Sequence, residues 1–91
     1  MKKVIWKHRL NIESSFDIQM PIGTEILALQ TQNDNPFIWV LVNPDEKNTE
    51  IRKFETVGTG EIIEETNDKK YIGTYQSQGG LLVFHVFEKC F

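Results

Sequence analysis

Residues 25–43 read EILALQTQNDNPFIWVLVN, and the order of the parts decides the fold class. EILALQTQ at 25–32 is an extended run, Asn33-Asp34-Asn35-Pro36 is made of residues that tolerate tight turns, and Phe37 to Asn43 is nearly continuously apolar. Two such runs joined by turn residues form a β-hairpin. Apolar side chains on both faces of FIWVLV place that strand centrally, covered on each side. Pro44 ends it, and residues 45–49 follow as a charged, exposed loop.

Outward from the hairpin the period of two recurs. Toward the N-terminus, Val4, Trp6, His8 and Leu10 alternate with Lys3, Ile5, Lys7 and Arg9, and Phe16, Ile18 and Met20 alternate with Asp17 and Gln19 before Pro21 and Gly23. Toward the C-terminus, EIRKFETV at 50–57 alternates again, residues 71–76 form a strand interrupted by Gly73, Gln78-Gly79-Gly80 reads as a turn, and LLVFHVF at 81–87 is a second strand apolar on both faces. EIIEETNDKK at 61–70 fits one or two helical turns, near 61–68, or a loop pinned by Ile62 and Ile63. The expectation is a mostly-β single small domain, residues 1–91, of about seven short strands arranged as an antiparallel sandwich or partly closed barrel.

Composition agrees with one packed domain. The chain has 91 residues, 40% of them hydrophobic, 25% charged and 11% aromatic, with Phe supplying six of the aromatics. A domain of this size buries about two-thirds of its unfolded surface, enough to fold alone. Ten basic against thirteen acidic residues give −3, a balance that speaks against coating duplex nucleic acid. A small anionic ligand held by a few local cations remains compatible with it. The single cysteine, Cys90, has no partner for an intrachain disulfide. Near the N-terminus, Lys2, Lys3, Lys7, His8 and Arg9 surround only Val4-Ile5-Trp6, which is neither a signal-peptide core nor a membrane span. No membrane association and a cytoplasmic location are expected.

Catalytic signatures are sparse. His8 and His85 sit in alternating strands among large apolar residues, where the plainer reading is a hydrogen-bonded, half-buried ring. If the first and last strands pair, the two imidazoles approach each other. There is no His-x-x-x-His, Cys-x-x-Cys, calcium-loop spacing or Gly-x-Ser-x-Gly, so neither a metal nor a cofactor is expected and a non-catalytic role is favoured.

For binding, Gly58-Thr59-Gly60 can present backbone N–H groups to an anion, with Arg52 or Lys53 supplying charge, although a plain turn explains it as well. Lys3, Lys7 and Arg9 form a basic strand face that reads equally as solvated surface. Trp6 and Trp39 fit the core, and a Trp lining a pocket can also stack on a nucleobase.

The ordered segments VIWKHRL at 4–10, MPIGTEILALQTQ at 20–32, WVLVNP at 39–44, IRKFETVGTG at 51–60, YIGTYQ at 71–76 and VFHVFE at 83–88 resemble a family of small phage and prophage proteins of unknown function. In many of those relatives a His-Pro pair follows the Gly-Thr-Gly, where this chain has Glu61 and Ile62. The resemblance implies a viral protein acting in the cytoplasm of a host bacterium, and it carries no catalytic residues. In that setting a small binding protein often blunts host defence. It can sequester a nucleotide-type immune signal, most readily as a homo-oligomer with a pocket at its interface, or it can bind a host defence protein directly. An accessory role in phage assembly or transcription is the third reading. For the nucleotide reading the expected ligand contacts are Gly58, Thr59 and Gly60 for phosphate, Arg52 or Lys53 for charge and Trp39 for stacking, with Tyr71 and His85 as further polar contacts.

Overall fold

A computed structural model describes residues 2–64 and 68–90. Seven antiparallel strands form two sheets: β1 (Val4–Arg9), β2 (Ser15–Pro21), β3 (Glu25–Gln32), β4 (Asn35–Val42), β5 (Thr49–Gly58), β6 (Lys69–Ser77) and β7 (Leu82–Lys89). One sheet has the order β1-β4-β3 and the other β2-β5-β7-β6. The domain is therefore a small sandwich with no closed barrel. A short 3-10 turn at Gln78–Gly80 joins β6 to β7. Residues 61–64 carry no helix, and the rest of the helix expected near 61–68 falls largely on 65–67, outside the described residues.

The hairpin is tighter than the turn residues suggest. Asn33 and Asp34 alone make the loop, both at positive φ (52° and 65°), the conformation that matches the twist of the flanking strands. Asn35 and Pro36 already pair with Gln32 and Thr31. Pro36 is tolerated there because β1 has ended alongside it at Arg9, so no ladder donor is missed.

The core lies between the sheets. Ile38, Val40 and Val42 from β4 face Phe16, Met20, Phe54, Tyr75 and Val86, with Leu10 closing one end. Phe16 and Phe54 are register partners and stack with centroids 5.4 Å apart. On one flank β3 and β6 come close, each carrying a bulge, at Ile26/Ala28 and Tyr71/Gly73. Gly73 is required there, since a Cβ would lie 3.0 Å from that of Leu29. The bulges also spoil both strands as templates for edge pairing. Residues 10–14 bridge the opposite flank, tied through Leu10 N–H to Pro36 O and Thr56 N–H to Ser14 O.

Two expectations need correction. β4 and β7 are central in their sheets, yet only one face of each is covered. Phe37, Trp39 and Leu41 on β4, and Val83, His85 and Phe87 on β7, are half-buried on outer faces with no layer against them. Lateral neighbours, not a second sheet, shield those apolar side chains. Trp6 is likewise no core aromatic. It shares the inner face with Val40 but is 40% exposed, because β1 overhangs the open flank.

The first and last strands do not pair. β1 joins only β4, and β7 lies between β5 and β6, so His8 and His85 belong to different sheets. His8 Nε2 is buried without a partner, and desolvation lowers its pKa below the ordinary 6.5. The unfolded chain takes up this proton at the ordinary value and the folded chain only at lower pH. Stability is thus fully present above pH ~6.5 and lost as pH falls through that interval. Urea midpoints at about pH 7.5 and 5.5 should show a larger drop for the wild type than for His8→Phe; equal drops would mean that His8 is not the group responsible.

Candidate functional site

The outer face of the three-stranded sheet combines aromatic rings with cations. Strand register aligns it in rows: Lys7, Trp39 and Ala28 in one, Arg9, Phe37 and Gln30 in the next. The Lys7 ammonium sits 4.7 Å from the Phe37 ring centroid and 5.7 Å from that of Trp39, and it donates to Gln32 Oε1 at 2.8 Å. Arg9 Nη2 donates to Asn35 Oδ1 at 2.9 Å. The two rings are 6.4 Å apart and tilted by 35°. A third row, Ile5, Leu41 and Glu25, adds an apolar patch and one carboxylate at the far end. On a chain of net charge −3 this face gathers one cation over two rings, Lys7, and a second, Arg9, in the row beside it. Such a surface attracts a flat, electron-rich ring bearing negative charge.

The outer face of the four-stranded sheet is built differently. His85 Nε2 meets Thr59 Oγ at 2.8 Å and Nδ1 meets Thr74 Oγ at 2.9 Å, while the Tyr71 hydroxyl meets Thr74 Oγ. Thr59 Oγ lies 3.5 Å from the Val83 carbonyl. One direction of donation satisfies every group: Tyr71 O–H to Thr74, Thr74 O–H to Nδ1, Nε2–H to Thr59, and Thr59 O–H toward Val83 O. This order assigns the Nε2–H tautomer. The chain ends on a backbone carbonyl and leaves neither ring nitrogen of His85 free. Tyr71 also packs edge-on against Phe87, with centroids 5.5 Å apart.

The expected ligand contacts thus divide among separate places. Thr59, Tyr71 and His85 do come together, with Thr74 as a member that sequence reading missed. Trp39 lies on the opposite side of the sandwich. Arg52 points inward from β5, where its Nε and Nη2 donate to both oxygens of Glu88 at 2.5 and 2.9 Å and Nη1 donates to Thr24 O at 2.6 Å. Glu88 raises the Arg52 pKa further, so this cation is committed to the fold. Lys53 is exposed, 3.6 Å from Asp17 Oδ2.

Gly58-Thr59-Gly60 forms no phosphate cradle. The Thr59 N–H bonds Val83 O and the Glu61 N–H bonds Gly58 O. The Glu61 carboxylate lies against Gly58, 2.9 Å from where a Cβ would stand. An anion would meet the Glu61 carboxylate there. The cavity between the sheets at this end, lined by Ile12, Glu13, Thr56, Glu61, Tyr75 and Phe84 among others, holds about 120 Å³. Small-molecule pockets start at roughly 300 Å³, so a nucleotide does not fit inside this cavity; a shallower depression of about 360 Å³ on the other side of Gly58 and Thr59 is walled by Glu61, Leu81, Leu82, Val83 and Phe84.

Phe37 is the contact that no sequence signal singled out, because its value comes from the β1–β4 register. Among the described residues no three His, Cys, Asp or Glu side chains gather so as to hold a metal ion, and no helix is long and apolar enough to cross a membrane. Neither the curated proteins nor the solved structures contain a match to the chain. The family model described as "Domain of unknown function (DUF7352)" matches residues 1–90, and the chain belongs to that family.

Proposed function

We propose that this is a non-catalytic binding protein that captures a nucleotide-type ligand on the Phe37–Trp39 face. The observation that carries this reading is the Lys7 ammonium poised over both rings, with Arg9 one row away. The base stacks on the aromatic surface and the phosphate meets Lys7 and Arg9. The non-catalytic part is supported by both ring nitrogens of His85 being taken up by the hydroxyls of Thr59 and Thr74. In the setting implied by the phage-protein resemblance, such capture acts as a sponge for a nucleotide immune signal in the host cytoplasm.

One observation favours the second reading, a plug that docks on a host defence protein. Val4 and Trp6 are 38% and 40% exposed on the open flank of the sandwich, where a partner, or a second copy of this chain, would cover them.

Calorimetry with a panel of mononucleotides, cyclic nucleotides and ADP-ribose-type compounds tests the proposal. Binding should occur and weaken by roughly 5- to 150-fold in Trp39→Ala, since a base–aromatic stack contributes about 1–3 kcal/mol. His85→Ala should bind as the wild type does. Absence of heat with every compound overturns the sponge, and release of a chemically altered compound overturns the non-catalytic reading.

A further inference from the structure

We infer that the aromatic face is built for two consecutive nucleotides of a linear single strand, with phosphates over β1 and base edges toward β3. The inference rests on the nucleotide-capture reading above and narrows it to a substrate class.

The rows of the face repeat. Across the sheet, Lys7–Trp39–Ala28 and Arg9–Phe37–Gln30 each run cation, ring and then a β3 residue. Both cationic residues belong to β1 and both rings to β4. Gln30 and Gln32 supply amides on the β3 side, where a base edge would point. The rows are two residues apart, about 7 Å along an antiparallel strand, a step comparable to one nucleotide of an extended chain. The ring centroids, 6.4 Å apart, keep that spacing. One row therefore serves one nucleotide, and the two rows serve two in sequence.

The ends of the face limit the site to two. Beyond Trp39 the next row is Ile5–Leu41–Glu25, which offers a third phosphate no cation and presents a carboxylate instead. Beyond Phe37, β1 has ended and Asn35 pairs only with Gln32. A cyclic dinucleotide fits less well, because its two phosphates lie in a central ring with the bases to either side, whereas both cationic side chains here are rooted on β1. In the free protein Lys7 rests over the rings and on Gln32. A base entering that place displaces the ammonium sideways, onto the phosphate of the same nucleotide.

Affinity measurements with 5′-phosphorylated linear diadenylate, AMP, cyclic diadenylate and a linear tetra-adenylate test this. The linear dinucleotide should bind at least tenfold tighter than AMP and tighter than the cyclic form, and the tetranucleotide should gain little more. Phe37→Leu, which keeps the outer row apolar, should reduce the dinucleotide to AMP-like affinity while leaving AMP nearly unchanged. Lys7→Ala and Arg9→Ala should each lower the slope of log K against log salt by about 0.7. Equal affinity for AMP and dinucleotide, or preference for the cyclic form, overturns the two-row inference and leaves nucleotide capture standing. Failure of all four to bind overturns both.

Discussion

Replacing Phe54 with alanine is expected to cost about 3–5 kcal/mol, the range for emptying a large aromatic site in a core. Phe54 is fully buried, stacks on Phe16 and sits at the centre of the four-stranded sheet facing Ile38, Val40 and Val42. Strands on both sides hold the backbone, so the hole cannot collapse by a small shift. Native domains are stable by only about 5–15 kcal/mol. Each kcal/mol moves the melting temperature of a domain this size by about 4–8 °C. Thermal and urea denaturation should therefore show a protein close to its folding limit, and a loss under about 1 kcal/mol would contradict the packing described here.

The second large effect is expected at Arg52. Its side chain is 16% exposed and that of Glu88 is 11% exposed, and together with Thr24 O they form a bidentate, charge-assisted cluster between the sheets. Arg52→Met removes the cation and leaves the Glu88 carboxylate, 11% exposed, without its partner. Breaking one side of such a pair costs about 3–5 kcal/mol, whereas replacing both partners with apolar residues of similar volume is often near neutral. Arg52→Met should thus be severely destabilised, and adding Glu88→Leu should restore most of the loss. If the double variant is as unstable as the single one, the desolvated carboxylate is not the cause. This role also explains why Arg52 is absent from the candidate ligand face: its guanidinium is turned inward and its charge is matched by Glu88.

Much of the architecture was legible in the alternation of side chains. The seven strands appear where period two and turn residues place them, because a strand with one covered face cannot shift by one residue without inverting every side chain. Two double-sided apolar strands, FIWVLV and LLVFHVF, were harder to interpret. Their apolar pattern cannot distinguish a second covering layer from lateral shielding by a lysine stem or a neighbouring ring. Here it is the latter, and that difference creates the exposed aromatic face. Pairing between β1 and β4 was not legible either, since nothing local in VIWKHR specifies a partner strand thirty residues away. The significance of Lys7, Arg9 and Phe37 follows only once that register is known.

Candidate chemistry was legible only in part. Trp39 is available for stacking and His85 joins Tyr71 and Thr59, but the residues expected in one pocket lie on two outer faces and in the core. Glycines around a hydroxyl suggested an anion nest, yet Thr59 donates its amide to the ladder. Whether backbone N–H groups are free depends on pairing, which a three-residue motif does not encode.

The most direct test of the account is a titration of the ¹⁵N-labelled protein with 5′-phosphorylated linear diadenylate, followed by amide and side-chain NMR shifts. Perturbations are expected to gather on Lys7, Arg9, Gln30, Phe37 and the Trp39 indole, leaving Thr59, Tyr71, Thr74 and His85 in place. Shifts confined to that second group, or no shift at saturating ligand, would contradict it.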